Sequence, residues 1–69
     1  MDAKILQDAE KVARDEWRKS EKQPADFIAL AIKLETIFNA GGVAQLLVEA
    51  GNLRKIARDV LSIKRMDVI

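Results

Sequence analysis

The chain has 69 residues, with twelve lysines and arginines against eleven acidic residues, a formal net charge of +1, and neither cysteine nor histidine. That length allows one domain, here residues 1–69, with a core too small to be stable without very regular packing or association. The missing residue types exclude a disulfide and leave zinc only carboxylate ligands, so no metal or cofactor is expected.

The charge is unevenly distributed. Residues 1–22 are balanced, residues 23–51 carry −2 and residues 52–69 carry +3. Met1-Asp2-Ala3-Lys4 opens the chain with no apolar run behind it, and no window is apolar enough to span a membrane. A cytoplasmic protein is expected, with no membrane partner.

The first predicted helix covers about residues 2–19. Ile5, Leu6, Ala9, Val12, Ala13 and Trp17 recur at helical steps and define an inward face. Lys4–Asp8, Glu10–Arg14 and Asp15–Lys19 are opposite-sign pairs four apart on the outer face. Ser20-Glu21-Lys22-Gln23-Pro24 ends this helix, and Pro24 suits the first turn of the next.

The second helix, about 24–40, is the most apolar. Phe27, Ile28, Leu30, Ala31, Ile32, Leu34, Ile37 and Phe38 cover most of its circumference. Such a helix requires neighbours on more than one side. It is either the centre of a compact bundle or partly an intermolecular contact. Trp17, Phe27, Leu30, Leu34 and Phe38 are accordingly the candidate apolar partner-binding residues.

Gly41-Gly42 stops the second helix. A short third helix is expected at 43–50, with Val43, Leu46, Leu47 and Ala50 inward. Gly51 would end it and Asn52 would cap a fourth helix at 53–64 that buries Leu53, Ile56, Ala57, Val60 and Leu61. The predicted fold is therefore an all-α bundle of four helices, the last two joined at Gly51 in a helix-turn-helix-like outline. No strand alternation and no internal repeat is present.

The inventory for catalysis is poor. There is no Tyr, only Ser20, Ser62 and Thr36 carry aliphatic hydroxyls, and the glycines lack the Gly-Lys-Ser/Thr ending of a phosphate loop. No catalytic residue and no small-molecule substrate is expected. The remaining signal is the cationic stripe Arg54, Lys55, Arg58 and Arg65, which suits an acidic protein or a phosphate backbone. Leu47 is bulky where a tight helix crossing needs a small residue, Asp59 flanks the stripe, and few base-reading side chains follow Asn52. These features rank a protein partner or a second copy, as a homodimer, above DNA.

The expected function is that of a small non-enzymatic regulator binding a protein stoichiometrically. An inhibitor, antagonist or antitoxin-like modulator fits the size, as would a phage or mobile-element origin. The alternative is a compact DNA-binding regulator using residues 43–64.

Overall fold

The computed structural model describes residues 2–67, with side chains as far as Ile63. All regular structure among them is helical: α1 (Ala3–Lys19), α2 (Pro24–Asn39) and α3 (Gln45–Asp67).

The first two boundaries follow from local chemistry. Asp2 Oδ1 accepts a hydrogen bond from the Lys4 amide at 3.1 Å, satisfying one of the donors a helix start leaves free. At the other end the Ser20 hydroxyl donates to the Trp17 carbonyl at 2.6 Å. Lys22 then takes a left-handed backbone, φ 57°, and its ammonium turns back to donate to the Arg18 carbonyl at 2.6 Å. A cation bonded to the last carbonyls is favourable at a helix C-terminus. Pro24 opens α2 where a missing amide costs nothing, and Asp26 Oδ2 accepts from the Gln23 amide at 2.9 Å. At its far end the Gly42 amide donates to Ile37 O at 3.0 Å, with Gly41 at φ +115°, a conformation that L side chains rarely adopt.

The expected joint at Gly51 is absent. α3 runs unbroken from Gln45 to Asp67, and the helices number three, not four. Glycine inside a helix costs about 1 kcal/mol relative to alanine. Against this, α3 packs on both sides of the glycine: Leu46 (3% exposed) and Ala50 (0%) precede it, and Leu53 and Ala57 follow it. A bend at Gly51 would uncover one of these pairs. Asn52 is consequently an exposed residue inside α3 and not a cap, and Val43 stands 68% exposed in the loop before α3.

α2 is the central helix and packs against both α1 and α3. The core joins Ala13 of α1, Leu30, Ala31, Leu34 and Ile37 of α2, and Leu46 and Ala50 of α3, with Leu6, Trp17, Phe38 and Leu53 closing its edges. Alanines at positions 31, 50 and 57 are all fully buried, and their small side chains let α2 and α3 approach closely. α1 and α3 meet through side chains: Arg14 donates to Glu10 on its own helix and to Glu49 on α3, each at 2.8 Å. Their carboxylates raise the Arg14 pKa, the Glu10 hydrogen bond foremost, so its charge is secure. The result is thin, with principal extents of 50 × 22 × 12 Å.

Candidate functional site

Two of the five apolar candidates belong to the core. Leu34 is fully buried and Leu30 is 5% exposed, so both hold α2 to its neighbours. Phe27 and Phe38 are half-buried. Trp17 is half-buried too, and both its edge and its face are engaged: its ring meets Phe27 edge-on at 5.7 Å, and the Lys22 ammonium sits 4.8 Å from its centroid. Its indole Nε1 is buried with no acceptor among the described residues. These contacts make Trp17 an edge residue of the core.

The basic candidates divide. Arg54 reaches across to α2 and forms an ion pair with Glu35, whose hydrogen bond raises the Arg54 pKa further above the usual arginine value. Lys55 and Arg58 are exposed and make no ion pair with a described residue. The side chain of Arg65 lies outside the described residues.

Continuity of α3 changes what accompanies these cations. With a constant turn of about 100° per residue, Leu47, Arg54, Arg58 and Leu61 fall within an arc of about 60°. Leu47 is 46% and Leu61 43% exposed, although the sequence pattern places both inward. The two leucines bracket the two arginines along about 21 Å of one flank. Sequence reasoning misses this flank because a break at Gly51 puts Leu47 and Leu61 on separate helices.

Depressions also lie elsewhere on the surface. A cleft of about 350 Å³ runs between α1 and α3, floored by Trp17, Leu30, Leu53 and Ile56 and edged by Arg14, Arg18, Glu49 and Asn52. A more apolar groove of about 470 Å³ lies between α1 and α2, where Val12, Ile32 and Thr36 surround Ala9, Ala13 and Ile37. Among the described residues no three acidic side chains converge as a metal site. Nor, among the described residues, is any helix long and apolar enough to cross a membrane.

No protein family model, curated protein or solved structure matches this chain.

Proposed function

We propose that this protein is a small non-enzymatic regulator that binds another protein one to one, in the manner of an inhibitor, antagonist or antitoxin-like modulator, in the cytoplasm. The observation that carries this reading is the flank of α3 on which exposed Leu47 and Leu61 bracket Arg54 and Arg58. Exposed leucines supply apolar area to bury, and Arg58, which makes no ion pair with a described residue, offers a partner's carboxylate its planar fork beside the Arg54–Glu35 pair. The matching partner presents an apolar surface with acidic groups between its contact points.

Two further facts favour binding over chemistry. The Ser20 and Thr36 hydroxyls are both spent on backbone carbonyls, Trp17 O at 2.6 Å and Ile32 O at 2.9 Å. No histidine or cysteine is available to act as base or nucleophile. The duplex-reading alternative needs a turn between two short helices, and α3 has none; it retains only the exposed cations.

The test is co-purification from the producing cells of the native chain and of a variant carrying Arg58→Glu and Leu61→Asp. The expected result is a single protein recovered in stoichiometric amount with the native chain and lost with the variant. Salt-sensitive binding of the native chain to duplex DNA, abolished in the same variant, would replace this reading with DNA binding. Loss of neither ligand would remove the α3 flank as the site.

A further inference from the structure

We propose, resting on the reading of the α3 flank as a protein-binding site, that its occupant is one acidic amphipathic helix of the partner, laid along Leu47, Gly51, Arg54, Arg58 and Leu61 with a large apolar side chain seated over Gly51.

These five positions follow at steps of four, three, four and three, the spacing that keeps a line of side chains facing one neighbouring helix. The same steps taken one residue earlier give Leu46, Ala50, Leu53, Ala57 and Val60, all buried or half-buried. α3 thus carries two such lines side by side. The inner one is covered by the fold, and the outer one is exposed at every position.

Gly51 marks the point of closest approach. The fold requires the other two glycines: Gly41 has φ +115°, and a Cβ on Gly42 would lie 2.9 Å from Leu46 Cδ1. Neither reason applies to Gly51. It lies inside α3, a Cβ there would meet nothing within 4 Å, and glycine weakens a helix interior relative to alanine. A residue that breaks a local rule with no return to the fold points to function. On the outer line it leaves a dip between Leu47 and Arg54, and a side chain from a facing helix fits such a dip as a knob fits a hole.

Charge defines the chemistry of the occupant. Around the arc from Leu61 through Leu47 and Arg58 to Lys55, α3 carries no acidic residue. Glu35 of α2 holds Arg54, while Lys55 and Arg58 make no ion pair with a described residue. Those two cations are left for carboxylates on the incoming helix, and the leucines, about four turns apart, match apolar residues towards its ends. A second copy of α3 laid antiparallel, Leu47 on Leu61, would set Arg54 against Arg54. A phosphate backbone would satisfy the cations and leave both leucines without an apolar surface to cover them.

Photo-cross-linking in the producing cells tests the proposal. Val48 and Ser62, both exposed and bordering the outer line, are each replaced by photoreactive benzoylphenylalanine. The two should cross-link to one protein, at points about fourteen residues apart in one segment, with Asp or Glu at helical spacing between them. The cross-linked protein, once purified, should bind Gly51→Ala about tenfold more weakly than the native chain, and Gly51→Leu more weakly still. Circular dichroism of both variants should stay helical, and Gly51→Ala should melt above the native chain. Cross-links to nucleic acid or to a second copy of this chain overturn the proposal. Cross-links to a basic or non-helical segment of another protein also overturn it, and leave the flank standing as a protein-binding site. So does equal affinity of the native chain and both Gly51 variants where Arg58→Glu with Leu61→Asp abolishes binding. Recovery of no cross-linked protein overturns both readings.

Discussion

Replacing Gly51 by alanine should stabilise this protein. Gly51 is the seventh residue of the 23-residue α3, exposed, and outside the left-handed backbone region. A Cβ built on it meets nothing within 4 Å. No clash opposes the methyl group and no packing rewards it, so helix propensity alone sets the effect: alanine is favoured over glycine inside a helix by about 0.8–1.0 kcal/mol. Part of this arises because alanine restricts the unfolded chain. For 69 residues the unfolding entropy near the midpoint is about 0.15 kcal/mol/K. The melting temperature should therefore rise by about 5–7 °C. Urea denaturation followed by far-ultraviolet circular dichroism should move to a higher midpoint with an unchanged slope, since the surface exposed on unfolding hardly differs. A lower midpoint for Gly51→Ala would refute an unbroken α3 at this position. That is the outcome for a glycine terminating a helix in the left-handed conformation, where a Cβ costs about 1 kcal/mol or more.

Gly42→Ala should have the opposite sign, because its Cβ would lie 2.9 Å from Leu46 Cδ1 and 3.0 Å from the Ile37 carbonyl oxygen. The backbone oxygen has little room to yield, and a loss of about 1–3 kcal/mol is expected in the same denaturation assay. Leu34→Ala empties the largest fully buried side chain and should cost about 2–5 kcal/mol, enough to leave a domain of this size largely unfolded by circular dichroism. Arg14→Ala breaks the links to Glu10 and Glu49, but the side chain is 37% exposed, so about 0.5–1 kcal/mol is expected, shrinking as salt is added. Because the folded-state pKa of Arg14 is raised, its contribution is complete below the ordinary arginine value and fades only above it. The Arg14→Ala loss, read from urea midpoints, should thus stay constant across neutral pH.

The two N-terminal helices are legible to within a residue because their ends depend on neighbours in sequence. Ser20 and Lys22 close α1, Pro24 and Asp26 open α2, and Gly41-Gly42 closes it, each through contacts at most five residues away. The α3 flank was not legible, for two reasons. Arg54 reads as a free cation until Glu35, nineteen residues earlier, is brought beside it. Leu47 and Leu61 read as core because periodicity marks an apolar face without stating how much of it a neighbour covers.

Residue order alone thus settles that the chain is all-helical and where its first two helices turn, since hydrophobic period and capping chemistry act over a few residues. Whether Gly51 bends or continues is a different kind of question. Glycine permits both backbones, so the deciding energy lies in the burial of Leu46 and Ala50 before it and of Leu53 and Ala57 after it. The same holds for Ile5, Val12 and Ile32. Their apolar character is written in the chain, and their exposure follows from three helices being too few to cover them.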